Sequence, residues 1–194
     1  MQPDLPPISA LDAIYRRRAT RAFTTELVDK STIETLLRAA VHAPTAMHLE
    51  PWAFVVVQDR ALLKRLSDRA KALALTPRGA EHRGLAGSPL LADPAYDIFH
   101  GAGTLVVICA KPMGSFVVAD CWLAAQNLMI AALSLGLATC PIGFALPALA
   151  DPEVKVELGI PPDVTAVAPI VVGVAAETPA PTSRRDPEIL SWKK

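Results

Sequence analysis

The feature that most limits the fold of this chain is a long stretch without charge, from Cys121 to Ala150. Its first part, to Thr139, is almost long enough to span a bilayer as a helix. However, this part contains polar residues such as Gln126, and no basic residues flank it. We therefore predict a helix over Phe116–Leu135, ended by Gly136, that lies in the core of a globular protein.

Length and charge indicate a single globular domain. The 194 residues are 52% hydrophobic and 20% charged, which is enough for one substantial core and typical of a folded chain. With 19 basic and 19 acidic side chains the formal net charge is zero, so the chain offers little long-range attraction to nucleic acid or an anionic membrane. We expect one domain over residues 1–194, with neither of these as a partner.

The cysteines and the N-terminal residues favour a cytoplasmic protein. Cys109, Cys121 and Cys140 are an odd number without a CxxC spacing, which is typical of reduced, buried thiols. Residues 1–9 have neither the basic region nor the apolar run of a secretory signal.

The remaining pattern mixes helices and strands without the steady rhythm of a parallel βαβ fold. Capping signals predict helices after Ser9, Ser31 and Asp151, and an apolar face predicts another helix over Leu62–Leu73. The predicted strands are Pro51–Val57, Leu105–Ala110 and Ala168–Ala175. The chain is predicted to turn at Cys140–Phe144. These elements predict the α+β class, with helices packed on a small mixed β-sheet.

Two segments of the chain lack regular periodicity. Glycine and proline interrupt the pattern throughout 76–103, and a stretch of this length in a compact domain is usually a functional lid or a disordered insertion. Residues 177–194 form a proline-rich C-terminal arm. This arm ends in Ile189, Leu190 and Trp192, apolar side chains that a soluble tail would ordinarily not expose.

Four arginines fall within six residues at the end of the first predicted helix: Arg16, Arg17, Arg18 and Arg21. Cations are favourable at a helix C-terminus, so a solvated cluster is one interpretation. The other is an anion-binding site, because guanidinium groups bind phosphate oxygens in a bidentate manner.

A second segment, Ala43–Trp52, joins a helix to a strand and contains two prolines that restrict its backbone. By itself it is consistent with a rigid packed turn. The glycine-rich nucleotide motifs, the HExxH and GxSxG motifs and zinc-type Cys/His spacings are all absent from the sequence. We therefore predict no metal ligand and no hydrolytic residue.

Together, the two segments resemble the nitroreductase family, in which an RRSxRxF motif is followed by APSxxNxQPWxF. Arg17–Phe23 matches the first motif, and Ala43–Phe54 matches the second. The resemblance continues in the same order through Asp93–Ala110, Ala124–Phe144 and Ala168–Ala175. It implies a nitroreductase-like fold and an intertwined homodimer that binds FMN in pockets at the subunit interface.

The resemblance also implies which residues contact the cofactor. They are Arg17, Arg18, Ala19, Arg21, Pro44, Thr45, Ala46, His48, Pro141, Ile142, Gly143 and Arg184. The first-motif residues would face the ribityl-phosphate, except Arg21, which would approach the N1/O2 edge of the flavin. The second-motif residues would come from the other subunit. Pro141–Gly143 would lie near the flavin face and N5, and Arg184 would close on the phosphate, with Arg185 as the alternative.

The implied activity is that of an FMN-dependent oxidoreductase. NADH or NADPH would reduce the flavin at N5, and a small acceptor such as a nitroaromatic or a quinone would then enter the same space, giving ping-pong kinetics. Because the flavin carries this chemistry, we name no catalytic side chain. In the candidate lid, Arg83, Tyr96 and Phe99 either line the acceptor pocket or pack as ordinary loop residues.

Three departures from the family motifs leave two alternatives open. Ala19, His48 and Glu50 stand where the family usually has Ser, Asn and Gln. One alternative is a specialised flavoenzyme of the same fold, such as a dehalogenase, a dehydrogenase or an enzyme that consumes its flavin. The other is a flavin-binding dimer without catalytic activity.

Overall fold

A computed structural model describes residues 8–76 and 89–194, and this part of the chain is built on a four-stranded sheet. The strands are β1 (Trp52–Val57), β2 (Thr104–Ala110), β3 (Ala138–Pro141) and β4 (Thr165–Gly173), in the order β1-β2-β4-β3. All neighbouring strands are antiparallel. The α+β class is confirmed. We expected a mixed sheet, and the parallel pairing found in the described residues is an isolated bridge between Ala19 and Thr139, outside the four strands.

Helices cover both faces of this sheet. In the described residues they are α1 (Ala10–Arg16), α2 (Lys30–Ala40), α3 (Arg60–Ala74), α4 (Pro89–Ala92), α5 (Val117–Ser134), α6 (Leu146–Leu149) and α7 (Pro152–Glu157). Short 3₁₀ turns lie at Ala46–His48 and Gly143–Ala145.

The core has two halves, one on each face of the sheet. Every residue of β2 is buried, and successive side chains of a strand point to opposite faces. One half of the core therefore contains Leu105, Val107 and Cys109 with α3, α6 and α7. The other contains the alternate β2 residues with α2 and α5. The result is a helix–sheet–helix sandwich.

The predicted core helix is confirmed as α5, and Gly136 follows it with a φ of 74° that favours glycine. Its inner face packs on the sheet and on α2. Its outer face exposes Val118, Trp122 and Leu123. By length and composition alone α5 could cross a membrane, but its inner face is already covered by protein.

Two sequence expectations were wrong in detail. Helix α2 begins at Lys30 rather than after Ser31, because Asp29 and not Ser31 is the cap: its carboxylate accepts the Thr32 N–H at 2.9 Å. The chain does not simply turn at Cys140–Phe144: Cys140 and Pro141 belong to β3, which pairs with β4, and the turn follows them.

Part of the candidate lid lies outside the described residues, namely 77–88 with Arg83. Of the two other lid residues, Phe99 is 1% exposed and belongs to the core, which fits ordinary packing rather than a pocket wall. Tyr96 is half-buried at the edge of the same core.

An ion pair joins two helices on the α3 face. Asp151 caps α7 by accepting the Glu153 N–H at 2.9 Å, and its other oxygen lies 2.6 Å from Arg69 Nη2 of α3. The hydrogen bond from Arg69 is the main reason that the pKa of Asp151 is below its usual range, with a smaller contribution from the capped backbone.

We predict that Asp151→Asn destabilises the protein at neutral pH but not in acid. A carboxyl whose pKa is lower in the folded state stabilises that state above its unfolded pKa of about 4, and the stabilisation is lost as the pH falls through the folded value. The free energies of unfolding of the wild type and of Asp151→Asn, measured from pH 7 to pH 3, should converge as the pH falls. Glu153→Gln, which changes an exposed acid 3.7 Å from the same arginine, is the control. A difference independent of pH would contradict the prediction.

Candidate functional site

The segment from Arg17 to Thr24 crosses the end of the sheet and is held there by backbone hydrogen bonds. The Thr20 N–H donates to Thr139 O at 3.1 Å on β3, and the Thr24 N–H donates to Val174 O at 2.9 Å just after β4. Between them, the Phe23 ring is buried in the core. The backbone on both sides of Arg21 is therefore fixed.

The arginines of this segment do not all have the same environment. Arg18 donates through Nη1 to the carbonyl groups of Tyr15 and Arg17 at the end of α1, as expected for a cation that caps a helix C-terminus. The guanidinium groups of Arg17 and Arg21 make neither a hydrogen bond nor an ion pair with any described residue. Two guanidinium groups are thus available for an anion.

Both free arginines lie close to the end of β3. Burial raises the pKa of the Cys140 thiol, and the charges of Arg21 and Arg17 oppose that rise, so both guanidinium groups are within electrostatic reach of Cys140. The next residues, Pro141–Gly143, follow directly in the chain. The structure therefore brings Arg17 and Arg21 of the first motif close to the start of Pro141–Gly143.

The stretch after β3 has a fixed backbone and an open surface. The Ile142 N–H donates to Pro169 O at 2.8 Å, and the Ile142 side chain is buried. Gly143 is exposed, and a Cβ built on it would meet nothing within 4 Å. An exposed, rigid surface next to two free cations has room for a flat anionic molecule.

Tyr96 and His100 form an aromatic pair near Arg21. Their ring centroids are 6.1 Å apart with the planes at 70°. Burial raises the pKa of Tyr96 and lowers that of His100, and the charge of Arg21 is the second contribution in both cases. Sequence reasoning missed His100, whose only signal was its position within the Asp93–Ala110 stretch.

A cavity of about 350 Å³ lies beside the arginine cluster. Its lining includes Arg16–Arg18, Met129 and Leu133 of α5, and Pro179 and Pro181 of the C-terminal arm. The arm thus passes close to Arg17. The predicted phosphate contact, Arg184, lies three residues further on, where it is exposed and makes no hydrogen bond or ion pair with the described residues.

The second motif lies at the opposite end of α5. The Ala46 N–H donates to Asp120 Oδ1 at 3.2 Å, in the first turn of α5, whereas Arg16–Arg18 share a cavity with Met129 and Leu133. Nine to thirteen helical residues separate these points, which is roughly 14–20 Å at ~1.5 Å per residue. Within one chain, the Pro44–His48 loop and the cavity beside Arg16–Arg18 therefore lie near different ends of α5.

The second-motif loop is strained and rests on a buried acid. Met47, His48 and Glu50 have φ values of 54°, 55° and 46°, and each residue in such a conformation costs on the order of 1–3 kcal/mol. Asp120 is 4% exposed, and its Oδ2 has no hydrogen-bond partner among the described residues. A loop held under strain by a buried carboxylate is typical of a functional segment. Its support, Asp120, carried no recognisable signal in the sequence.

The chain is thus a small α+β protein with two unpaired guanidinium groups at the edge of its sheet, among the described residues. The sequence pattern of the nitroreductase family matches residues 14–174. This match covers most of the chain, and the chain therefore belongs to the nitroreductase family.

Individual relatives agree with this assignment. A protein from Archaeoglobus fulgidus, provisionally named NADH dehydrogenase/NAD(P)H nitroreductase, is 27% identical over 84% of this chain and 83% of its own length. A nitroreductase with bound FMN from Bacteroides fragilis is 26% identical and superposes with a TM-score of 0.79 over 96% of this chain and 98% of that one. Iodotyrosine deiodinase, bound to FMN and 3-iodo-L-tyrosine, shares the fold at 19% identity with a TM-score of 0.75, over 96% and 100% of the two chains.

Proposed function

We propose that this chain is an FMN-dependent oxidoreductase that takes electrons from NADH or NADPH and reduces a small acceptor, such as a nitroaromatic or a quinone. The supporting observation is the pair of free guanidinium groups of Arg17 and Arg21 beside the open backbone at Gly143. Related nitroreductases in this fold carry bound FMN, as in the Bacteroides fragilis protein.

The residues at this site fit FMN. Arg17 lies beside the cavity of about 350 Å³ and would bind the phosphate. Gly143 leaves space above the backbone where a flat ring system would lie. Bound here, FMN would supply the hydride-accepting and hydride-donating chemistry.

Each chain residue then has a separate task. Arg21 would place a fixed positive charge at the N1/O2 edge of a bound flavin, and Pro141–Gly143 would form a rigid surface near its N5. Arg18 contributes less than the sequence implied, because the α1 carbonyl groups already use its Nη1. Ala19 has no hydroxyl to offer, and its backbone bridge to Thr139 positions its neighbours instead. Arg184 on the arm is the further proposed phosphate contact.

We propose that the site is completed by a second copy of the chain. Pro44, Thr45, Ala46 and His48 lie near the first turn of α5, whereas the arginine cluster lies near its other end. Helices α1 and α5 contact each other, and both expose large apolar side chains, as does the arm. These residues include Leu11, Ile14, Tyr15, Trp122, Leu123, Ile189, Leu190 and Trp192. Large apolar side chains that share an exposed patch typically mark an interface.

The first test is the composition of the purified protein. We expect about one FMN per subunit, a dimer by light scattering, and oxidation of NADH or NADPH that depends on an added quinone. Dimers of this kind typically bury over ~2,000 Å². A protein that binds FAD or haem, or that retains no chromophore after incubation with FMN, would contradict the proposal. Bound FMN without nicotinamide oxidation would favour the specialised or non-catalytic alternatives.

The second test separates holding the cofactor from tuning it. Negative charge develops at N1/O2 only on reduction, so Arg21→Ala should lower the two-electron potential, by about 30 mV for each ~1.4 kcal/mol of lost stabilisation. FMN binding should weaken less. Arg17→Ala should do the reverse, with roughly ten- to a hundredfold weaker binding. The flavin potentials and the FMN dissociation constants of both variants test this prediction. An unchanged potential in Arg21→Ala would indicate that Arg21 is a solvated cation at the end of a helix.

The third test uses the open space at Gly143. Because an added Cβ meets no atom within 4 Å, Gly143→Val should fold with an unchanged melting temperature yet bind FMN at least about tenfold more weakly, since the side chain would occupy the flavin's place. Gly173→Ala is the control, and we expect the opposite result for its stability. Its Cβ would lie 3.1 Å from the buried Phe23 ring, so its melting temperature should fall. Full FMN affinity in a folded Gly143→Val would place the flavin elsewhere.

A further inference from the structure

Lys71 on α3 is a buried lysine with an unusual set of partners. It is 7% exposed, and its Nζ donates to the carbonyl oxygens of Tyr96 at 2.8 Å, Pro94 at 3.0 Å and Asp93 at 3.4 Å. Asp68 Oδ1 lies 3.4 Å from the same nitrogen. An ammonium group has three N–H donors, and the carbonyl groups of one short segment can use all of them.

A second hydrogen bond attaches the same segment to α3. One turn before Lys71, Ser67 accepts the Ile98 N–H through Oγ at 3.2 Å, in a fully buried position. Burying a charge is costly unless hydrogen bonds compensate it. Lys71 is therefore compatible with the core only while the 93–96 carbonyl groups converge on it, and that requirement in turn fixes their positions.

This segment leads directly to the candidate site. Tyr96 is the acceptor of the shortest Lys71 contact, and its ring packs against His100. The His100 carbonyl accepts the Phe23 N–H at 3.3 Å, two residues beyond Arg21. A continuous series of short contacts therefore runs from Lys71 through residues 96–100 to the backbone next to Arg21.

We infer that Lys71 is a positioning residue for acceptor recognition: by anchoring residues 93–98 to α3, it fixes Tyr96 and His100 as one wall of the acceptor space beside Arg21. This inference rests on the proposed function. Lys71 itself touches neither cofactor nor acceptor. It determines which acceptors fit, because a wall that shifts by a fraction of an ångström changes the pocket's shape while the floor at Pro141–Gly143 stays in place.

The test compares two lysines of the same helix. Lys64 and Lys71 both pair with Asp68, but Lys64 is exposed. In the FMN-loaded dimer, Lys71→Met should change the ratio of kcat/KM for 1,4-benzoquinone to that for menadione at least about threefold, as expected when pocket contacts change, with about one FMN retained per subunit. Lys64→Met should keep the wild-type ratio. Asp68→Asn should also keep it, because the carbonyl contacts remain.

The ratio separates positioning from general damage. Loss of folded enzyme lowers both kcat/KM values by one factor and leaves their ratio unchanged. An unchanged ratio in Lys71→Met, or the same altered ratio in Lys64→Met or Asp68→Asn, would overturn the inference.

A measurement on the unmodified protein covers the case in which Lys71→Met does not fold. Reductive methylation of the wild-type dimer, followed by mass spectrometry, should modify Lys71 at least about tenfold more slowly than Lys64, because the anchored segment must open first. Equal rates would overturn the inference. This readout needs no turnover, so it tests the anchoring by Lys71 even in a protein that fails to oxidise NADH or NADPH, a failure that would refute the proposed function.

Discussion

The burial of β2 and β4 on both faces is the constraint on which the rest of the structure depends. β2 is buried along its whole length, and β4 is buried from Val167 onward. Such strands need a helical layer on each side. Helix α5 covers one face with α2, and α3 covers the other, so the short strand β3 is left at the sheet edge with Pro141–Gly143 beyond it. The candidate site lies where this layered core ends.

The length of α5 has a second consequence. Because this helix runs along one whole face of the sheet, the elements at its two ends are kept apart, with the strained loop on Asp120 at one end and the arginine cluster near Leu133 at the other. Both elements carry motifs of the same family pattern. Under the proposed function, one chain therefore provides two half-sites, and the exposed apolar side chains of α1 and α5 are available for the interface that would join them.

The features that could be predicted from the sequence are those that depend on local sequence patterns. The core helix over Phe116–Leu135, the cap at Asp151 and the buried strand at Leu105–Ala110 follow from composition and periodicity within a few residues. The features that could not be predicted depend on distant contacts. Asp120 supports a loop 74 positions earlier in the chain, and Lys71 binds carbonyl groups more than twenty positions later. A lysine in an amphipathic helix is ordinarily solvated, so nothing local distinguishes Lys71 from Lys64.

Under the proposed function, the site also links cofactor binding to assembly. Arg17 and Arg21 hold positive charges near Cys140 without an acidic partner among the described residues, so this half-site is electrostatically unfavourable until an anion neutralises it. If that anion is the phosphate of a flavin that also contacts the partner's loop, its binding free energy stabilises the dimer. Each tenfold excess of ligand over its dissociation constant then adds about 1.4 kcal/mol. The unpaired arginines and the strained loop thus reduce the stability of the isolated chain, and the assembled, cofactor-bound dimer recovers it.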